Sequence, residues 1–363
     1  MNILYLTDRL SHRGGAPHHL LDVIQSMAAN HPVVVAAANK DSDVHLPESV
    51  TYERISGLRS NTAKTSGLDR LDPLFAWADL IHIQNVMNPE ALARATKRPS
   101  LVTIQDHRVF CPGPGKTLPS GIACQETMSE TLCTTCIPEA DHRTYMLTQT
   151  KARLQAIQQA EKVVVLSQYM ATALHQVGLN KTSVIPPPVP IGPPKTEPGH
   201  GFLIAGRIVK HKAPDVAYSA WKLSGTDHPI KIAGLGSEKH RFADAQDLGW
   251  LSREALKTEM ASARAVLFPA RWQEPFGIVG VESLSVGTPV IATPTGGMAD
   301  WCNEGCVSVN TIDEMVSAIR HLSDHPDAAL ALGQAGARAV QAKFAPQSTH
   351  KKLNSIYQQI ATA

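Results

Sequence analysis

Short, uninterrupted apolar runs alternate with amphipathic stretches along the whole chain, and this alternation restricts the fold more than any other feature. In the first half the runs contain many β-branched residues and little polar alternation, which is typical of strands buried on both faces of a parallel sheet. These predicted strands are 3–7, 33–37, 80–83, 101–104, 163–166 and 183–185. Helical spacing predicts helices between them, at 17–28, 89–96, 144–160 and 169–177. This order predicts a doubly wound α/β domain.

A proline-rich segment, 185–201, separates this half from a second half with the same order. Its prolines exclude a helix or a central strand, and we interpret it as an interdomain linker. Beyond it we predict strands at 202–205, 230–233, 265–268, 290–292 and 306–309. We predict helices at 214–223, 252–261, 277–286, 312–323, 326–344 and 348–360. Two Rossmann-like domains facing across a cleft are therefore expected, with ligands beyond the carboxyl ends of the strands.

The composition excludes several classes of protein. The 363 residues carry a formal net charge of +2, so no strong field selects nucleic acid or anionic lipid as a partner. The first ten residues have no basic n-region and no small-residue cleavage site, so we interpret them as a first strand and not as a secretory signal. No apolar run approaches the ~18 residues that a membrane span requires. We expect a cytoplasmic protein. Contact with the inner face of a membrane stays open, although no basic amphipathic helix predicts it.

Two glutamates mark the strongest candidate site. Glu274 precedes the sequence Pro-Phe-Gly, and Glu282 follows within the helix that this sequence opens. A carboxylate accepts two hydrogen bonds from a diol, so one glutamate suits a ribose and the other a sugar hydroxyl. Free N–H groups at the start of the helix attract anionic ligands. The alternative is that Glu274 caps the helix and Glu282 is solvated.

Basic and glycine-rich loops add three further candidates. Gly206-Arg207 and Lys212 follow a predicted strand, where Arg207 and Lys212 could stabilise a leaving diphosphate. An exposed basic loop is the alternative. Gly14-Gly15 joins the first strand to the first helix, and Gly234-x-Gly236 follows a later strand. The first pair lets the backbone approach a phosphate or sugar closely, but ordinary turns use such glycines as well. The second could frame a base, although it lacks the full dinucleotide-binding fingerprint.

Taken together, these spacings resemble the retaining GT-B glycosyltransferases of family 4 over nearly the whole length. The resemblance is strongest over 202–300. Besides the motifs above it includes 248–252, Gly287-Thr-Pro-Val290, Gly296-Gly297, Ala78-Asp79 with His82, 167–170 and 184–186.

The resemblance implies a hexosyltransferase that retains the anomeric configuration and needs no metal for its chemistry. Arg207 and Lys212 should bind the donor diphosphate, Glu282 the ribose and Glu274 the donor sugar. Further donor contacts are expected from the backbone and loops at Gly14, Gly15, Gly206, Gly234, Leu251, Phe276, Gly277 and Ile278.

One segment departs from the family pattern. Gln105-Asp106 stands where the family usually has His-Asp, and we assign both residues to the catalytic site. Gln105 can donate a hydrogen bond but cannot act as a base. The leaving phosphate oxygen can itself take the acceptor proton, so positioning carries most of the catalysis. His107 and His82 are substitutes for the missing histidine, although a packed or solvated histidine is the commoner outcome.

Four cysteines form a separate signal in the order C-x12-C-x8-C-x2-C. The closing pair has zinc-ligand spacing, and the loop has little apolar content with which to fold alone. We predict a structural zinc, with reduced free thiols as the alternative and with His107 or His142 as a replacement for one thiolate. The ligands would be Cys111, Cys124, Cys133 and Cys136.

We therefore expect an acceptor domain over 1–192 with a cysteine-rich insertion at 111–136, a donor domain over 198–345, and a final helix at 346–363 that returns to the first domain. The partners would be a nucleoside-diphosphate sugar and a glycan or lipid-linked acceptor, in a setting such as bacterial polysaccharide synthesis. A sugar-nucleotide epimerase or a phosphorylase on the same fold, and a non-catalytic nucleotide-sugar binding protein, are the alternatives.

Overall fold

The computed structural model of the protein describes residues 1–58, 67–238 and 242–362. The chain divides into two compact units, the first formed by 1–186 with 349–363 and the second by 187–348. The division falls a few residues before the predicted boundary at 192. Parts of the expected domain ranges, namely 59–66, 239–241 and Ala363, lie outside the described residues.

The first unit is built on a parallel sheet in the order β3-β2-β1-β4-β5-β6-β7. Its strands are β1 (Ile3–Leu10), β2 (Val33–Lys40), β3 (Val50–Arg54), β4 (Leu80–Gln84), β5 (Ser100–Ile104), β6 (Lys162–Val165) and β7 (Thr182–Val184). The helices that connect them are α1 (Gly15–Ala28), α2 (Asp72–Trp77), α3 (Pro89–Ala95), α4 (Ala140–Ile157) and α5 (Gln168–His175).

Both faces of this sheet are buried, as the apolar runs predicted. In β1, Leu4 and Leu6 belong to one apolar cluster, whereas Ile3 and Tyr5 belong to another on the opposite face. Successive side chains of a strand point to opposite faces, so a run without polar residues must be covered on both sides.

The second unit repeats this architecture with six parallel strands in the order β10-β9-β8-β11-β12-β13. The strands are β8 (Phe202–Ala205), β9 (Ile230–Ala233), β10 (Gln246–Gly249), β11 (Ala265–Phe268), β12 (Val290–Ala292) and β13 (Cys306–Ser308). The helices are α6 (Pro214–Ser224), α7 (Arg253–Ser262), α8 (Ile278–Ser285), α9 (Ile312–Asp324) and α10 (Pro326–Phe344).

The strand order reverses direction between β1 and β4 in the first sheet and between β8 and β11 in the second. In doubly wound sheets, ligands bind beyond the carboxyl ends of the strands at such a switch point. The loops that follow β1, β8 and β11 contain Gly14, Lys212 and Glu274, and the neighbouring loop after β5 contains Gln105 and Asp106.

The last helix, α11 (Pro346–Ala361), packs on the first unit through Leu353, Ile356, Tyr357 and Ile360. Inside this contact the Tyr357 hydroxyl lies 2.9 Å from the Tyr5 hydroxyl and 2.6 Å from His82 Nδ1. Nε2 of His82 lies 2.7 Å from the Thr103 hydroxyl. Burial lowers the pKa of His82 to about 3, so the ring is neutral and serves to anchor α11.

The proline-rich segment contains no helix or strand and packs on the second unit. Backbone N–H groups of Val189, Lys195 and His200 donate to the carbonyls of Phe344, Val286 and Ser262. This contact explains why the division falls at its start. Among the described residues, no helix is long and apolar enough to cross a membrane.

Candidate functional site

The loops after β8 and β11 bring a cation and a carboxylate together at the switch point of the second sheet. Lys212 and Glu274 form an ion pair, with 20% of the lysine side chain and 4% of the glutamate side chain exposed. Burial lowers the pKa of Lys212, although the Glu274 carboxylate acts in the opposite direction. A charged pair with so little solvent contact is characteristic of a binding or catalytic site.

Arg207 extends the positive charge of this site. Its guanidinium is exposed, and no hydrogen-bond or ion-pair partner is found for it in the described parts of the chain. Burial, followed by the charges of Arg207 and Lys212, lowers the pKa of His211 to about 4. His211 is therefore neutral at pH 7, and the net charge of the loop comes from the arginine and lysines.

Trp272 completes the contacts of the ion pair, and the sequence reasoning missed it. Its indole N–H donates to Glu274 Oε1 over 2.7 Å. Its ring lies 5.0 Å from Lys212 Nζ and 4.8 Å from the His211 ring centroid. A tryptophan two positions before the glutamate was the available signal.

Glycines hold the backbone of Glu274 in place. The N–H of Gly297 donates to the Glu274 carbonyl over 2.7 Å. At Gly296, where φ is +56°, a Cβ would lie 2.4 Å from the same carbonyl oxygen. The Gly296-Gly297 pair is thus a packing requirement of the loop that carries Glu274.

The segment that opens α8 is equally constrained. Gly277 caps the helix with a left-handed φ of +85°, and Phe276 is buried. The carbonyl of Phe276 accepts the indole N–H of Trp301 over 2.5 Å. No side chain caps this helix and no acidic residue lies in its first turn, so the first N–H groups are available to an anion.

Gly234 and Gly236 have a structural role beside the basic loop. A Cβ on Gly234 would lie 1.8 Å from the Gly206 carbonyl oxygen, and one on Gly236 would lie 2.1 Å from that of Ile208. Neither position can carry a larger residue without displacing the Gly206–Ile208 backbone. The structure gives these glycines a packing function, and the donor contact expected at Gly234 stays a prediction.

Glu282 lies on α8, where its Oε1 is 3.3 Å from Arg253 Nε at the start of α7. Arg253 follows the predicted base contact Leu251 and the N-cap Ser252. Arg253 was not predicted. It is a ligand-binding candidate or a counter-ion that orients Glu282.

In the first unit, Gly14 and Gly15 lie where β1 gives way to α1. Gly14 has φ +108° and precedes the helix, and Gly15 is its first residue. No side chain caps this helix either, and its first turn contains no acidic residue. The loop therefore presents uncapped N–H groups at the switch point of the first sheet.

A chain of amides fixes the orientation of Gln105. The Gln84 Nε2 group lies 3.0 Å from the Ala16 carbonyl oxygen and 2.9 Å from Gln105 Oε1. A carbonyl oxygen only accepts, so the atom that faces Ala16 must be the NH₂ of Gln84. The atom of Gln105 that faces Gln84 must then be its oxygen, which also accepts from Asn85 Nδ2 over 3.3 Å.

The Nε2 group of Gln105 consequently points away from these two donors. It is buried and has no hydrogen-bond partner among the residues that the structure describes. This nitrogen carries two N–H donors and cannot accept a proton, which is consistent with the prediction that Gln105 is not a base.

Asp106 is engaged by its own loop. Its carboxylate accepts from the Arg108 backbone N–H over 2.9 Å and from Arg108 Nε over 2.8 Å. Burial acts to raise the pKa of Asp106, but Arg108 outweighs it and the pKa is lowered. Asp106 is therefore ionised at neutral pH. Of the two substitute histidines, His82 anchors α11, and His107 packs against Tyr169 with Nε2 3.1 Å from its hydroxyl.

The four predicted zinc ligands line one cavity, together with Phe110, Leu118, Met128 and Leu132. Burial is the largest cause of the raised pKa values of Cys133 and Cys136. Within the described ranges, no three His, Cys, Asp or Glu side chains are arranged to hold a metal ion. The structure therefore does not support zinc ligation by Cys111, Cys124, Cys133 and Cys136.

Hydrogen bonds and apolar contacts stabilise the cysteine-rich insertion at 111–136. The Cys124 N–H donates to the Lys116 carbonyl, and the Leu118 N–H donates to the Ile122 carbonyl, each over 2.8 Å. These bonds and the apolar lining of the cavity supply contacts that the sequence reasoning expected a metal to supply.

Comparisons with known proteins agree with this architecture. Residues 13–192 match the family described as Glycosyltransferase Family 4. Residues 193–339 match the family described as Glycosyl transferases group 1. The chain belongs to the family 4 glycosyltransferases. The predicted membership of family 4 is thereby confirmed, and so is the predicted α/β, GT-B fold class.

Individual relatives match this glycosyltransferase over part of their length. Glycogen synthase of Mycobacterium tuberculosis is 26% identical over 181 residues, which are 45% of this chain and 43% of that protein. D-inositol 3-phosphate glycosyltransferase of Mycolicibacterium smegmatis is 31% identical over 148 residues, 36% of this chain and 34% of that one. The chain thus spans less than half the length of these curated relatives.

Solved structures match over the full length. The Anabaena protein HepE in complex with UDP and glucose has a TM-score of 0.72 at 18% identity, covering 99% of this chain and 100% of that chain. WaaG, a glycosyltransferase involved in lipopolysaccharide biosynthesis, has a TM-score of 0.68 at 16% identity, covering 98% and 99%. At these identities the likeness establishes the GT-B fold.

Proposed function

We propose that this glycosyltransferase moves a hexose, with retention of the anomeric configuration, from a nucleoside-diphosphate sugar to a hydroxyl of a glycan or lipid-linked acceptor. One observation carries the proposal: Lys212 pairs with Glu274 at the switch point of the second sheet, beside Arg207 and the uncapped start of α8. Cations, free N–H groups and a carboxylate are the groups that a diphosphate sugar requires.

The leaving diphosphate is assigned to the positive side of this site. Arg207 can bind a phosphate through two parallel hydrogen bonds, and Lys212 adds a point charge. The N–H groups at Gly277 and Ile278 add the positive end of the α8 dipole. In a site with little water, such groups can each be worth on the order of 3 kcal/mol in the transition state.

The sugars of the donor are assigned to the two carboxylates. Glu274 Oε1 accepts from Lys212 and Trp272, while Oε2 has no partner among the described residues and is assigned to a hydroxyl of the hexose. Glu282 is assigned to the ribose diol, with Arg253 as the counter-ion that sets its orientation.

The chemistry proposed is a front-face displacement. The bond between the anomeric carbon and the diphosphate oxygen breaks, and the bond to the acceptor oxygen forms on the same face. The proton of the acceptor hydroxyl passes to the departing phosphate oxygen, which makes a separate base unnecessary. The protein contributes positioning and charge stabilisation of the leaving group.

The first unit is assigned to the acceptor and to closing on the donor. Gln105 presents two N–H donors and is proposed to hold a substrate oxygen in place of the family histidine. Asp106 and Arg108 form an ion pair that keeps this loop in shape. The loop at Gly14 and Gly15 is proposed to meet the diphosphate through the uncapped start of α1.

A UDP-linked hexose is the donor we propose first. Support comes from HepE, which has been solved with UDP, with UDP and glucose, and with UDP-glucose. A role in bacterial surface polysaccharide synthesis draws support from WaaG and from the lipopolysaccharide outer core galactosyltransferase WaaB, which has a TM-score of 0.62.

The proposal is tested by incubating the protein with UDP-glucose, with and without a panel of glycan acceptors and in the presence of EDTA. Transfer with retained anomeric configuration, and slow hydrolysis without acceptor, are expected. Rapid conversion of the donor to its epimer would instead identify an epimerase. Release of a sugar phosphate from a glycan, dependent on inorganic phosphate, would identify a phosphorylase. The absence of any nucleotide or nucleotide-sugar binding would refute the proposal.

A further inference from the structure

The side chain of Trp272 contacts both members of the central ion pair, through its N–H bond to Glu274 and through its ring face toward Lys212. Phe268 flanks the same ammonium at 5.5 Å. The backbone of Trp272 is fixed as well, since its carbonyl accepts the Thr295 hydroxyl over 2.8 Å. The indole therefore occupies a defined position against both charged groups.

Two donors share one oxygen of Glu274. Both the Lys212 ammonium and the Trp272 indole N–H contact Oε1. A carboxylate that is 4% exposed must keep at least one strong donor, because an unpaired buried charge is costly. The Lys212 ammonium has three donors, so it can contact an incoming diphosphate and keep its bond to Oε1. The neutral indole does not respond to the new charge.

We infer that Trp272 is a positioning residue that fixes the orientation of the Glu274 carboxylate toward the hexose, while Lys212 contacts both Oε1 and the donor diphosphate. The inference rests on the proposed function, since it requires a diphosphate sugar in this site. Oε1 stays with the indole throughout, and Oε2 stays directed at the hexose. Trp272 thus acts on the hexose through Glu274, and nucleotide binding does not depend on it.

UDP affinity and kcat with UDP-glucose should therefore respond differently to a change at Trp272. UDP alone contains the diphosphate but no hexose, so its affinity should not depend on the indole N–H. UDP-glucose adds the hexose, whose placement depends on Glu274. Replacing Trp272 by Phe removes the N–H and keeps an aromatic face beside the ammonium of Lys212.

The experiment compares wild type, Trp272→Phe, Glu274→Gln and the double variant. Calorimetry gives the affinity for UDP, and steady-state kinetics with UDP-glucose give kcat. For Trp272→Phe we expect a UDP affinity within about twofold of wild type and a kcat about 10- to 100-fold lower, as for the loss of one hydrogen bond to a charged group. In the Glu274→Gln background the same substitution should have little further effect, because Trp272 acts through that carboxylate.

Trp221→Phe is the matched control. It also removes an indole N–H bond, in this case to the His228 carbonyl over 2.8 Å, and it leaves the Glu274 carboxylate untouched. We expect its kcat and UDP affinity to stay close to wild type.

Three outcomes would overturn the inference with the proposed function intact. They are a wild-type kcat in Trp272→Phe, an equal loss of UDP affinity and kcat, and full additivity with Glu274→Gln. Wild-type protein that neither binds UDP nor uses UDP-glucose would instead remove the proposed donor itself.

Discussion

Replacing Lys212 by methionine isolates the energetic role of the central ion pair. The variant keeps most of the aliphatic stem but removes the ammonium, leaving a carboxylate that is 4% exposed with Trp272 as its remaining hydrogen-bond donor. Breaking a buried pair by removing one partner costs about 3–5 kcal/mol. Since a fifth of the lysine side chain reaches solvent and the indole bond survives, we expect the lower end, about 3 kcal/mol. For a unit of this size that lowers Tm by about 6–12 °C.

Tryptophan fluorescence during thermal unfolding measures the Tm of the second unit. Four of the five tryptophans, at positions 221, 250, 272 and 301, belong to the second unit. Lys222→Met is the control. Lys222 pairs with Asp244 over 2.7 Å in the same unit, but the two side chains are 57% and 51% exposed, so we expect no measurable change.

Adding Glu274→Gln to Lys212→Met should recover much of the lost stability, because it replaces the unpaired charge by a neutral amide. Equal Tm shifts for Lys212→Met and Lys222→Met would refute the reasoning. So would a double variant that is no more stable than Lys212→Met alone.

Three further predictions address other parts of the molecule. Gly234→Ala should lower UDP affinity, measured by calorimetry, at least tenfold, because its Cβ would lie 1.8 Å from the Gly206 carbonyl oxygen. Gly225→Ala is the control: its Cβ would meet nothing within 4 Å, and UDP affinity should stay unchanged. Gln105→Glu should lower kcat/KM for transfer about tenfold, since it replaces a donor by a charged acceptor beside the substrate oxygen that Gln105 is proposed to hold; an unchanged value would contradict the proposed role. The first unit should lose stability as pH falls from about 6.5 toward 3, because His82 binds a proton in the unfolded chain but not in the native protein. His82 contributes up to about 1.4 kcal/mol per pH unit, so His82→Gln should flatten the dependence of Tm on pH, and an unchanged slope would contradict this prediction.

Strands buried on both faces were predictable, and half-exposed ones were not. The bounds of β8, β9, β11 and β12 agree with the predicted ranges because each is a short run of mainly apolar, buried residues, in which Lys231 of β9 is the one polar member. β3 was missed because Val50–Arg54 is an edge strand of partly exposed polar residues, which resembles a loop in sequence. β10 was missed for the same reason, since Gln246–Gly249 is exposed or half-buried.

The site was predictable to the extent that it depends on loops after parallel strands. Lys212 and Glu274 are 62 positions apart, yet parallel topology returns both loops to one edge of the sheet. Trp272 could not be predicted, because a motif fixes the backbone of its loop but not which side of the loop an indole occupies. The direction of the Gln105 amide also needed three-dimensional contacts, since it is set by a carbonyl in α1.

A crystal structure of the protein with UDP-glucose tests the central claim most directly. The account predicts the diphosphate within hydrogen-bond distance of Arg207 and Lys212, the hexose on Glu274 Oε2, and the ribose on Glu282. A nucleotide bound away from the switch point of the second sheet, or a diphosphate with neither cation in contact, would contradict it.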